Sequence, residues 1–182
     1  ATAAPMRSSA SAPSPPRPRR TMGRLAMPRR GLILAALVLV LDQASKWWLL
    51  DVMERAGGSI ELLPVFNLVM VWNPGVSFVM FQTGSAWAPW ILSALALVIV
   101  LVLMRWLAKA ENRFIAAGLG LVIGGAIGNV IDRMVWGKVA DFFDFHIDAW
   151  HWPAFNIADA AIVVGAAILI LDGLFASRGR DT

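Results

Sequence analysis

Four stretches of the chain are apolar almost without a break: residues 31–50, 87–107, 114–135 and 155–175. Each is close to the roughly 20 residues that carry a helix across the hydrocarbon core of a bilayer. The first 30 residues differ. They are dominated by Ala, Ser, Pro and Arg, with almost no large apolar side chain before Leu25. Such a segment cannot bury a core and is expected to be disordered. Met6, Met22 and Met27 offer alternative starts, so residues 1–26 are expected to be dispensable. Residues 51–86 are too long for a simple turn. They carry β-favouring runs at 61–70 and 71–81, with Asn73-Pro74-Gly75 as turn chemistry beside them. The expected architecture is an all-α membrane protein: a four-helix transmembrane bundle (residues 31–176) with a small β-rich lobe at 51–86 on its outer, periplasmic face. A basic tail at 1–30 precedes it and a short tail at 177–182 follows.

The first apolar stretch is not a cleaved signal sequence. It is longer than the roughly 7–15 residues of a signal h-region, it contains Asp42 and Lys46, and no small-x-small site follows it.

Composition agrees with a membrane protein. The chain is 58% hydrophobic and 15% charged, against about a quarter charged in a soluble domain. The absence of cysteine removes disulfides, thiolate metal sites and cysteine nucleophiles. The net charge of +4 reads as topology. No aromatic-interleaved basic patch of a nucleic-acid site is present.

Basic residues gather at Arg7, Arg17, Arg19, Arg20, Arg24, Arg29 and Arg30, at Arg105, Lys109 and Arg113, and at Arg178 and Arg180. The other two connections hold only Arg55 and Lys138, against Asp51, Glu54, Glu61, Asp141, Asp144 and Asp148. The positive-inside rule then puts both termini in the cytoplasm and the acidic connections outside. Trp47, Trp48, Trp87, Trp90, Trp136, Trp150 and Trp152 fall at the outer ends of the spans, as an interfacial aromatic belt does.

A carboxylate in or against hydrocarbon is costly and marks function by default. In the first stretch Asp42, Ser45 and Lys46 share a helix face, with Asp42 and Lys46 spaced to pair. They read as a structural ion pair, with Lys46 reaching to the interface. The third stretch carries Gly120, Gly124 and Gly128, a seam for close helix approach. Asn129, Asp132 and Arg133 follow on one face, where Asp132 can neutralise Arg133. In the fourth, Asn156 and Asp159 share a face, and no basic residue lies within a turn of Asp159. Such a carboxyl must stay protonated or find a distant partner. Asp141, Asp144 and Asp148 follow the third stretch, and local reading does not rank them.

Two of these acids brought together would share a proton, the chemistry of an aspartic peptidase. Other chemistries fit poorly. His146 and His151 lack the H-E-x-x-H spacing of a zinc peptidase and read as interfacial histidines. No G-x-S-x-G element and no lysine-bearing phosphate loop is present. A small proton-coupled transporter or channel subunit, with Asp132 and Asp159 as a relay, is the alternative. It calls for acids spread over the membrane depth or for broken helices. Here the acids crowd one side, with only Asp42 and Asp172 apart.

Five ordered motifs add a resemblance. Asp42-Gln-Ala-Ser-Lys46, Asn73-Pro-Gly-Val-Ser-Phe78, Gly124-Gly-Ala-Ile-Gly-Asn-Val-Ile-Asp-Arg133, Val139-Ala-Asp141 and Phe155-Asn-Ile-Ala-Asp159 resemble those of the bacterial lipoprotein signal peptidases, signal peptidase II. The resemblance implies a four-span aspartic endopeptidase of the inner membrane. Such an enzyme removes the signal peptide from diacylglyceryl-modified prolipoproteins, on the N-terminal side of the lipid-modified cysteine. It implies Asp141 and Asp159 as the catalytic pair. Asn73, Asn129, Arg133 and Asn156 would bind substrate or orient the site, and Asp42, Lys46 and Asp132 would be structural. It implies no cofactor and no metal, a monomer among membrane lipids, and inhibition by globomycin-type compounds. Pro74, Ser77 and the long basic tail depart from the family pattern, and none touches the proposed pair.

Overall fold

The protein is described by a computed structural model over residues 26–75 and 87–178. The elements run α1 Ala26–Ala56, β1 Ser59–Leu63, β2 Phe66–Asn73, α2 Ala88–Leu107, α3 Arg113–Trp136, β3 Val139–Ile147, β4 Trp150–His151 and α4 Ile157–Arg178. All four helices are long and apolar enough to cross a membrane.

α3 is the central helix and packs on the other three. Its ends are set locally. Asn112 caps its start, with the side chain accepting from Phe114 N at 2.8 Å. Gly137, at φ 71°, closes its end in the left-handed conformation that glycine adopts without strain. The expected glycine seam is real. A Cβ on Gly124 would lie 2.5 Å from the Ala35 carbonyl of α1, and one on Gly120 would fall on the carbonyl of Gly31. On another side of α3, a Cβ on Gly125 would meet the Ala158 carbonyl of α4. Lipid supplies no hydrophobic drive between helices, so such close backbone contact is what holds them.

Large apolar side chains point outward from the bundle, Leu101 of α2 and Val163 of α4 being 66% and 67% exposed. That would be untenable in water over so wide a surface and is ordinary against lipid.

At 31 residues, α1 is roughly 46 Å long at 1.5 Å per residue. It outruns the ~30 Å hydrocarbon core, and its last turns rise beneath the sheet. There Leu49 and Met53 pack with Phe142 of β3, flanked by Ile60, Leu68 and Met70. The sheet is antiparallel, in the order β1-β2-β3-β4. Trp47, Trp72 and Trp136 meet at this end, with Trp136 5.2 Å from Trp47 and 5.7 Å from Trp72.

Several boundaries differ from expectation. Residues 26–30 are helical, because the apolar face of α1 extends one turn further back; the rest of the expected disordered tail lies outside the described residues. The lobe is not a contiguous 51–86. Residues 51–56 continue α1, and the sheet draws β3 and β4 from the connection after α3. The β1–β2 turn lies at Pro64-Val65, between the paired Leu63 and Phe66, while Asn73-Pro74-Gly75 lies beside the strands, at the end of β2. α4 runs through Ser177 and Arg178, and the rest of the expected C-terminal tail lies outside the described residues. Ser77 and Phe78 of the second motif lie outside the described residues.

Candidate active site

The polar side chains of the bundle converge where α3 and α4 meet the sheet. Asp141 is in β3, opposite Val71 of β2, and is 1% exposed. Asp159 stands in the first turn of α4 and is half-buried. Asn156 joins them. Its Nδ2 donates to Asp141 Oδ1 at 2.7 Å, and its backbone N–H donates to Asp159 Oδ2 at 3.3 Å. Its Oδ1 accepts from Asp159 N at 2.9 Å. Asn156 and Asp159 thus cap the start of α4 reciprocally, as a capping box does. The cap dictates where Asp159 points.

Each carboxylate has a second amide partner. Asn73, the last residue of β2, donates from Nδ2 to Asp141 Oδ2 at 3.0 Å, while its Oδ1 accepts from Gly75 N at 2.9 Å. That explains the Asn-Pro-Gly turn: it locks the asparagine amide. Asn129 of α3 donates to Asp159 Oδ1 at 2.8 Å. Burial first of all, with the Asp159 charge adding to it, pushes the Asp141 carboxyl up to about 6, against hydrogen bonds from Asn73 and Asn156 and the charge of Lys46.

Beneath the pair lies a girder of charge. Lys46 is fully buried, 2.8 Å from Asp42 Oδ2 and 2.6 Å from Asp132 Oδ2. The two acids extend this link to the backbone. Asp132 accepts from Ala140 N at 3.3 Å, and Asp42 accepts from Ala158 N at 3.0 Å. Those amides immediately precede Asp141 and Asp159. The structural acids therefore hold the two strand and helix positions that aim the pair.

Two expectations are corrected. Lys46 does not reach to the interface, because two carboxylates inside the bundle hold it. Asp132 is not the partner of Arg133. It takes Lys46 and Gln43 (2.9 Å) instead, while Arg133 Nη1 donates to the Asn129 carbonyl at 3.1 Å. Ser45, on the same face as Asp42 and Lys46, donates to its own helix, to the Asp42 carbonyl at 2.7 Å. Arg133 Nε is buried with no hydrogen-bond partner among the described residues. The guanidinium is bound to the backbone of Asn129, whose side chain holds Asp159, with a donor to spare.

One contributor, Gln43, was missed, and Gly128 was read only as part of a packing seam. Gln43 ties Asp132 to Asp42 (3.2 Å) and to the Gly128 carbonyl (3.3 Å). Gly128 gives Asp42 its room, since a Cβ there would lie 2.5 Å from Asp42 Oδ2. Helix periodicity put Gln43 off the polar face; only its place inside the first motif marked it.

Comparison with known proteins identifies the family. The family profile of signal peptidase (SPase) II matches residues 34–175. The chain belongs to the signal peptidase II family. It is 50% identical over 143 residues to a lipoprotein signal peptidase of Beijerinckia indica, covering 78% of this chain and 86% of that one. A relative of the same name from Polynucleobacter necessarius is 42% identical, over 84% of this chain and 93% of its own. Among solved structures, a bacterial membrane enzyme determined by the in meso method at 2.3 Å superposes with a TM-score of 0.68 at 27% identity, over 81% of this chain and 89% of that one. The chain is a multi-pass membrane protein and a protease of this family. A transporter is not supported, and its relay fails on geometry as well: Asp132 is spent on Lys46, Gln43 and Ala140.

Proposed function

We propose that this protein removes the signal peptide from diacylglyceryl-modified prolipoproteins by aspartic hydrolysis, with Asp141 and Asp159 as the catalytic pair. The observation that carries this reading is the shared contact of both carboxylates with Asn156. Two acids so placed hold one proton between them. Burial favours the proton on Asp141. The protonated acid then hydrogen-bonds the scissile carbonyl, and ionised Asp159 takes a proton from the attacking water. The proton passes to the leaving amine as the peptide bond breaks. No metal or cofactor enters these steps.

Arg133 and Asn129 would hold the substrate backbone in an extended form, Arg133 Nε being a donor without a partner among the described residues. The antiparallel helices bring Arg29, Arg30, Arg105, Lys109 and Arg113 to the end away from the sheet. With both termini cytoplasmic in the inner membrane, the pair faces the periplasmic surface. Water reaches it there, while the substrate's acyl chains stay among lipid tails. A monomer suffices for this chemistry, and the site is the expected target of globomycin-type inhibitors.

The test is the purified protein in detergent with a lipid-modified prolipoprotein, followed by mobility shift. Asp141→Asn and Asp159→Asn should each lower turnover by about two to four orders of magnitude, the scale of lost acid–base catalysis, with the bundle still folded. Near-normal cleavage by either folded variant sinks the assignment.

A further inference from the structure

Asp144, His146 and His151 form a second polar cluster that the hydrolytic site does not use. Asp144 and His146 are two residues apart on β3 and so share a face of the strand. His146 pairs with His151 of β4 across the ladder. The two imidazoles stack at 4.9 Å, 15° from parallel. His151 Nδ1 is 2.9 Å from Asp144 Oδ1, and His146 Nδ1 is 3.8 Å from Asp144 Oδ2. One ligand atom from each residue lies within 4.8 Å of the other two.

Three further observations separate this cluster from a surface acid with histidine neighbours. The Asp144 side chain is only 8% exposed, and no lysine or arginine pairs with it among the described residues. His146 Nδ1 is buried and has no hydrogen-bond partner there, although it points at that carboxylate. The backbone is fixed on both sides, with His146 N donating to the Val65 carbonyl at 3.0 Å and Trp152 N to the Phe145 carbonyl at 2.8 Å. Asn67 Nδ2 approaches Asp144 Oδ2 at 3.5 Å, the kind of outer partner that orients a ligating carboxylate.

We propose that Asp144, His146 and His151 bind a divalent transition-metal ion, zinc being the ion that two imidazoles and one carboxylate fit best. The family resemblance implies no metal, and the two histidines lack the helical H-E-x-x-H spacing. Here the ligands come from a strand pair, and the hairpin brings them together. The role is structural. The ion staples β3 to β4 within the connection that runs from Asp141 to Asp159, and His151, half exposed, leaves coordination positions open to water.

His146 and His151 are the only histidines, and there is no cysteine. Imidazole ligation in this chain therefore reports on this site alone. The experiment uses the full chain in detergent, with any affinity tag removed and the protein stripped by a chelator, titrated with zinc and separately with cobalt. One equivalent of zinc should raise the melting temperature, and cobalt should give the visible ligand-field bands of imidazole coordination, abolished by excess zinc. His151→Ala should weaken binding by more than the roughly tenfold that follows loss of an outer-layer partner. Asp141→Asn should bind as the wild type does, which separates this site from the catalytic pair. Absence of cobalt bands in the wild-type protein overturns the proposal, as does an unchanged zinc response in His151→Ala. Should that variant misfold, the wild-type cobalt spectrum decides by itself.

Discussion

Each buried charge in the site has a different cost if altered. Lys46 neutralises two carboxylates that have no other cation within bonding distance among the described residues. Lys46→Met should cost about 3–5 kcal/mol, the usual penalty for orphaning a buried charge, and chemical or thermal unfolding in detergent measures it. Arg133 is a contrast, since Asp132 does not depend on it. Arg133→Gln should leave stability within about 1 kcal/mol, while a lost charge-assisted bond to substrate of about 1.5–3 kcal/mol cuts kcat/KM roughly tenfold to a hundredfold. A parallel fall in both quantities would make Arg133 a structural residue only. Asp141 carries a pH signature. Its carboxyl rises to about 6 from the ordinary 3.8, so the fold favours the protonated form. That contribution is complete below pH 4 and is lost as pH rises through 6. Asp141→Asn cannot ionise, so its melting temperature relative to wild type should climb between pH 4 and 7, by the equivalent of about 2–3 kcal/mol. A flat difference across that range would refute the burial argument.

At the scale of elements, the α1–α3 contact decides whether the pair is aimed. Gly128→Ala places a methyl 2.5 Å from Asp42 Oδ2 and should cost about 1–3 kcal/mol by overpacking. Because Asp42 holds the Ala158 amide, cleavage should fall as well. Gly173 of α4 is the control, since nothing lies within 4 Å of a Cβ there. Gly173→Ala should be neutral or stabilise by up to about 1 kcal/mol through helix propensity. Equal effects at the two positions would mean that the seam is slack.

The orientation of the whole molecule is a separate matter from its fold. A chain with no cysteine allows single-cysteine labelling. With Ser59→Cys in β1 and Lys109→Cys beyond α2, both exposed, an impermeant maleimide should label the first in intact cells and the second only after permeabilisation. The reverse pattern would invert the topology and put Asp141 and Asp159 on the cytoplasmic side.

Hydrophobic runs of membrane length announced the four helices, because lipid demands about 20 apolar residues per span whatever the partner. The same demand made Asp159 conspicuous, since nothing near it in sequence could neutralise it. Motif order singled out Asn73, Asn129, Asn156 and Asp141 by resemblance. Local reading could not choose among Asp141, Asp144 and Asp148, because all three read as acids of one connection. The tertiary structure separates two of them: Asp141 lies against Asn73 of β2 and Asn156 at the start of α4, while the β3–β4 pairing sets Asp144 beside the histidines. The switch of Asp132 from its sequence neighbour Arg133 to Lys46 was likewise invisible along the chain. Helical spacing lists which partners are possible. Only the packing of α1 against α3 through small residues puts an ammonium 2.6 Å from that carboxylate, and inside a bundle a charge pairs with whatever the packing brings to it.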